Sequence, residues 1–190
     1  MTKHERPGVY SSYDASSVVS AGTGAKTIGV AARAVKGDVG AAVTLTGYTE
    51  GISAFGEDGD TAGMSAILRL LFVNGASKVI AVRVADTGTT ADYEASFAVL
   101  SGQEDVRIMV CDSADVAVHQ ALRTTVETAS AGRRERIAVV GGNGEIVAEL
   151  VAHAAALNSE RMVLVGPDGV GRRRREQETA PSAAAPPRRH

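Results

Sequence analysis

The chain of 190 residues carries 20 Lys and Arg against 22 Asp and Glu, a formal net charge of −2, with 44 % hydrophobic and 22 % charged residues. That mixture excludes a wholly disordered chain and argues against a protein that coats nucleic acid. No apolar run approaches the roughly 18 residues that cross a bilayer, no apolar stretch of a secretory leader follows residues 1–6, and the single Cys111 has no disulfide partner within the chain, as suits a reducing compartment.

Residues 1–26 read as an extended N-terminal arm. The Pro and Gly of Arg6-Pro7-Gly8-Val9-Tyr10 oppose helix, and the Ser-rich stretch 11–20 offers few apolar anchors beyond a short strand at Val18 and Val19. An α/β body is expected over 27–170. Residues 27–32 predict a buried strand, Lys36-Gly37-Asp38-Val39-Gly40 a loop and 42–46 a second strand. One or two helical turns over 48–55 close at Gly56. Glu57-Asp58-Gly59-Asp60 then turns into a helix over 62–74, with Thr61 as N-cap and Asn74-Gly75 as its stop. Ile67, Leu68, Leu71 and Phe72 form the apolar face of that helix.

Residues 78–84 alternate into a strand. A helix over 92–100 places Tyr93, Phe97 and Leu100 on one side, and 106–111 reads as a buried strand. A long helix over 114–131 stops at Gly132, a strand covers 136–140, Gly141-Gly142-Asn143-Gly144 turns into a helix over 145–157, and a last strand covers 161–165. Strands alternating with helices predict an α/β fold with a mostly parallel sheet flanked by helices and right-handed crossovers. With aromatics at 4 % and no Trp, its core must be built from Val, Ala, Leu and Ile.

From Gly171 the chemistry changes. Residues 172–190 hold six Arg against two Glu, +4, while the first 171 residues hold 14 basic and 20 acidic groups, −6. Residues 171–190 contain no Val, Ile, Leu or aromatic side chain, so a disordered basic C-terminal tail is expected.

Few stretches look chemical. Gly22-Thr23-Gly24-Ala25-Lys26-Thr27 lacks the contiguous Gly-Lys-Thr of a phosphate loop and precedes a strand. Gly142-Asn143-Gly144-Glu145-Ile146-Val147 sits where a dinucleotide loop belongs, but Val147 replaces the third Gly, so a tight turn is the plainer reading. Cys111-Asp112 ends a strand, where α/β enzymes keep catalytic groups, and His119 and His153 lie on helices. We read Cys111 as a small buried hydrophobe and both His as surface groups. His4, His119, His153 and His190 show no metal-ligand spacing, and Glu57-Asp58-Gly59-Asp60 lacks the pattern of a calcium loop. No catalytic constellation, cofactor site or metal site is therefore expected.

Four stretches in order resemble the contractile tail sheath proteins of bacteriophages and related injection devices. Glu5-Arg6-Pro7-Gly8-Val9-Tyr10 is similar to the opening of the sheath arm. Residues 27–40 are similar to the strand and Lys-Gly-Pro loop that open the sheath body, with Asp38 in place of the Pro. Residues 46–56 end in the Phe55-Gly56 pair, and 66–84 match a helix, an Asn74-Gly75 turn and a Val82-Arg83-Val84 strand. The resemblance covers roughly residues 5–168. It implies a structural subunit that stacks in rings around a tail tube and drives contraction for injection, with arms adding strands to neighbouring sheets. The implied partners are other sheath subunits, the tail tube protein and the baseplate, with neither nucleic acid nor membrane. The implied places are the bacterial host cytoplasm during assembly and the virion tail. The arm residues it singles out for subunit contact are Arg6, Pro7, Gly8, Val9, Tyr10, Val18 and Val19.

Sheath proteins are generally longer, and the match stops near residues 166–171. An N-terminal fragment with an out-of-frame tail is the expectation. Two other readings compete. One is a nucleotide-binding or hydrolytic enzyme of the doubly wound class, using the loop at 141–144 and Cys111. The other is an adaptor whose basic tail docks on acidic surfaces.

Overall fold

The computed structural model describes residues 27–57, 63–142 and 146–166. The expected arm and its site residues, the tail, Thr61 and, in the turn at 141–144, Asn143 and Gly144 lie outside them. Eleven elements follow in chain order: β1 (Thr27–Arg33), β2 (Ala42–Leu45), α1 (Tyr48–Phe55), α2 (Met64–Val73), β3 (Val79–Val84), α3 (Thr90–Ser101), β4 (Val106–Cys111), α4 (Val116–Ala131), β5 (Ile137–Gly141), α5 (Val147–Leu157) and β6 (Met162–Val165). The expected α/β class is what the structure shows.

The strands form one sheet in the order β2-β3-β1-β4-β5-β6. All neighbours are parallel except the edge strand β2, which runs antiparallel to β3 with Ala42 opposite Val82 and Leu45 opposite Val79. The chain leaves β1 for the edge strand β2, returns through α1 and α2 to β3, then crosses back over β1 to reach β4 and moves outward. Reversing direction in this way sends the connecting helices to opposite faces. The α1–α2 pair covers one face, and α3, α4 and α5 pack side by side on the other.

Two cores result. Val30, Ala32, Leu45, Phe55, Met64, Leu68, Val79 and Ala81 gather under α1 and α2. Ile80, Val82, Val84, Tyr93, Phe97, Leu100, Met109, Leu122 and Val126 gather under α3 and α4. Residues 78–84 do not alternate in burial as the pattern predicts. Val79, Ile80, Ala81, Val82 and Val84 are all buried, because β3 lies between β2 and β1 with helices above and below.

Local chemistry sets the ends. Thr89 caps α3: its hydroxyl accepts from the Asp92 amide at 3.3 Å, and the Asp92 carboxylate accepts from the Thr89 amide at 2.9 Å. Asp115 caps α4 by accepting from the Ala117 amide at 2.8 Å. The N-cap of α2 is Gly63, two residues after Thr61, and no side chain bonds there. Asn74 ends α2 by donating from its side chain to the Leu70 carbonyl at 2.7 Å.

Candidate functional site

In a sheet with this strand order, ligands bind outside the carboxyl ends of the strands where the order reverses. Here that crevice lies between the ends of β1 and β4. It is filled by three side chains of the chain itself. Asp112, directly after β4, has a fully buried side chain. It accepts from the Tyr93 hydroxyl at 2.5 Å, from Arg33 Nε at 3.1 Å and from the Arg33 amide at 3.2 Å. Arg33 closes β1 and Tyr93 lies on the first turns of α3, so one carboxylate joins three elements.

Electrostatics hold each group in its structural state. Burial, with the Asp112 carboxylate adding to it, pushes the Tyr93 phenol far above its ordinary value, so it remains a donor. The bond and charge of Asp112 raise Arg33 in turn. The neighbouring Cys111 thiol is pushed up to about 12, chiefly by burial, and donates to the Ser113 carbonyl at 3.7 Å. A thiol so protonated at neutral pH is no nucleophile. The reading of Cys111 as a small buried hydrophobe holds in part: it is half-buried and packs against the core under α3 and α4.

The two His residues differ from the sequence reading. Neither lies on the surface: His119 is 0 % exposed and His153 is 3 % exposed. Their rings stack at 5.0 Å between centroids, with His119 Nδ1 2.9 Å from His153 Nε2. His119 Nε2 lies 2.7 Å from the Ser113 carbonyl, which can only accept, so Nε2 carries the hydrogen. In the neutral pair Nδ1 then accepts from His153, and the two rings tie α4 to α5. The signal was present in the sequence. His119 falls on the stripe of Leu122 and Val126, and His153 is four residues before the buried Leu157.

Sequence reasoning also missed a set of arginines at helix ends. Arg136 is 1 % exposed and donates to the Leu100 carbonyl at 3.0 Å and the Gln103 carbonyl at 2.5 Å. Arg134 donates to the Ser101 carbonyl at 2.9 Å, and Arg123 to the Leu157 carbonyl at 2.9 Å. Cations at the carbonyl ends of α3 and α5 satisfy unpaired acceptors and oppose the helix dipole. Burial lowers the Arg136 pKa, and repulsion from Arg134 and Arg107 adds to it. Among the described residues no three His, Cys, Asp or Glu side chains gather as a metal site, and no helix is long and apolar enough to cross a membrane.

Three of the stretches behind the resemblance meet at one corner of the sheet. Arg83 of β3 donates to the Gly37 carbonyl at 2.7 Å and pairs with Asp86 at 2.8 Å. The Gly40 amide donates to the Arg83 carbonyl at 3.0 Å, and the Lys36 amide to the Phe55 carbonyl at 3.0 Å. Gly37 has φ +98 and Gly56 φ +79, conformations that disfavour a side chain. A Cβ on Gly37 would lie 3.1 Å from the Ala54 carbonyl oxygen, and one on Gly56 3.2 Å from Val35 Cβ. The loop, the Phe-Gly pair and the Val-Arg-Val strand are thus one packed unit.

No family model matches the chain, and no curated protein matches it. Solved structures do. The helical sheath of the anti-feeding prophage in its contracted state, seen by cryo-EM, matches with a TM-score of 0.52 at 18 % identity, over 85 % of this chain and 45 % of that one. The chain has a sheath-type fold. A chain of the six-fold-symmetrised anti-feeding prophage baseplate matches with a TM-score of 0.51 at 18 % identity, over 85 % of this chain and 46 % of that one. The sheath-type fold therefore accounts for most of the chain, which spans less than half the length of the proteins it matches.

Proposed function

We propose that the chain is the α/β part of a contractile tail sheath subunit, a structural protein that packs with its own kind around a tail tube and drives contraction. The shared fold carries this reading, since it extends over 85 % of the chain. The filled crevice supports assembly rather than catalysis. Asp112 already accepts three hydrogen bonds, the Cys111 thiol is held protonated, and the His pair is engaged between two helices. An enzyme of the doubly wound class would need that crevice open.

The partners in this reading are further sheath subunits, the tube protein and the baseplate, without nucleic acid, membrane or cofactor. The host cytoplasm is the place of assembly and the virion tail the destination. Residues 5–20, with Arg6, Pro7, Gly8, Val9, Tyr10, Val18 and Val19, serve as the arm, and 171–190 as an appended tail. Sequencing of the surrounding locus tests the reading. A tail tube gene beside this one is expected; a locus without tail genes, together with a nucleotide-induced rise in melting temperature, overturns it. Alone, the chain is expected to form no regular tubes in negative-stain microscopy.

A further inference from the structure

The two faces of the sheet are not equally covered. Over β2, β3 and β1, α1 and α2 shield one face while α3 shields the other. Over β4, β5 and β6, α4 and α5 shield one face, while on the opposite one, among the described residues of these strands, only Val110 packs against the core under α1 and α2. Ile108 and Val110 of β4, Ile137 and Val139 of β5, and Val163 and Val165 of β6 point to that side. Ile108 pairs with Ile137, and Val139 pairs with both Val110 and Val163, so the six form one continuous patch. Ile137 is 40 %, Val163 46 % and Val165 54 % exposed. Six adjacent β-branched side chains make a surface that water disfavours.

We propose that this face is the docking site of the chain's own N-terminal segment, residues 9–19. Two segments flank the described body. Residues 167–190 offer only Val170 as a large aliphatic group, with six Arg among the rest. Residues 9–19 carry Val9, Tyr10, Tyr13, Val18 and Val19. The segment also enters at the right place. It joins β1 at Thr27, which pairs with Val106 at the start of β4, beside the uncovered face. From β1 to β6 is three strand spacings, about 14 Å. The seven residues 20–26, extended, reach about 23–25 Å, so Val18 and Val19 can lie on any of the three strands. Short tethering keeps the local concentration of the segment high, which favours the chain's own segment over a second copy's.

Cross-linking the full chain tests this. A short bis-maleimide is applied to a Val18→Cys, Val163→Cys variant in a Cys111→Ala background, since Cys111 is a free, half-buried thiol. The expected result is an intramolecular link in the monomer, formed at a rate unchanged by about tenfold dilution. A linked dimer overturns the proposal in favour of a second copy. So does a rate no higher than that of an Ala183→Cys, Val163→Cys control. If circular dichroism shows the first variant unfolded, the Val19→Cys, Val139→Cys pair replaces it. The outcome is independent of the sheath reading, which the gene locus tests separately.

Discussion

The β2–β3–β1 half of the sheet and the β4–β5–β6 half differ in how they are held. In the first half, β1 and β3 are covered on both faces, and five of the six β3 residues are buried. In the second half, exposure alternates along β6, where Val163 and Val165 stay exposed. The first half rests on close apolar packing. The second depends more on polar ties between elements: the His119–His153 contact, Arg136 on the end of α3, and the ion pair of Arg161 with Glu135. The lesson is that one continuous sheet can be packed like a core at one side and like an interface at the other.

The contrast can be broken most severely at the centre. Phe97 is 0 % exposed against the sheet, and Phe97→Ala is expected to cost about 3–5 kcal/mol in urea unfolding, since the cavity cannot collapse. Next comes the pin between the halves. Asp112→Ala leaves the buried Tyr93 hydroxyl without its acceptor and is expected to cost about 1–3 kcal/mol by the same measurement. An unchanged midpoint would show that Asp112 does not join β1, α3 and β4 energetically.

A smaller effect is expected at the start of α3, where Thr89→Ala removes the cap at a cost of about 1 kcal/mol. This position also carries a pH signature. Hydrogen bonds from the Thr89 and Thr87 hydroxyls, then from the Thr89 amide, hold the Asp92 carboxyl below its ordinary 3.8. The unfolded chain therefore takes up the proton first as pH falls. The contribution of Asp92 is fully present above its ordinary value and is lost as pH drops through the lower folded one. Thermal melts from pH 7 to pH 3 are expected to show a shallower acid loss in Thr89→Ala than in the parent. The smallest effect belongs to the outer half: Val151, 63 % exposed on α5, is expected to tolerate Ala within about 0.5 kcal/mol.

Much of the fold was legible because its signals are local. The helix over 48–55 and the strand over 106–111 have the bounds read from the sequence, and the others shift by a residue or two at their ends. Alternation of strand and helix dictates a parallel sheet, because successive parallel strands need a crossover between them. Glycines at 37, 56 and 75 marked turns whose φ values are positive. Local signals along the chain thus fix the class, the element order and the placing of turns.

The tertiary structure decided the rest, because those features depend on residues far apart in the chain. Whether 78–84 faces one core or two depends on its place between β2 and β1, which periodicity does not encode. The burial of Arg136 depends on the end of α3, 36 residues earlier, supplying a carbonyl. His119 and His153 are 34 residues apart, and only the packing of α4 on α5 brings their rings together. The crevice between β1 and β4 is closed by Arg33 and Asp112, separated by 79 residues. A pattern along the chain shows which side chains can be buried; the fold alone decides which partners meet them there.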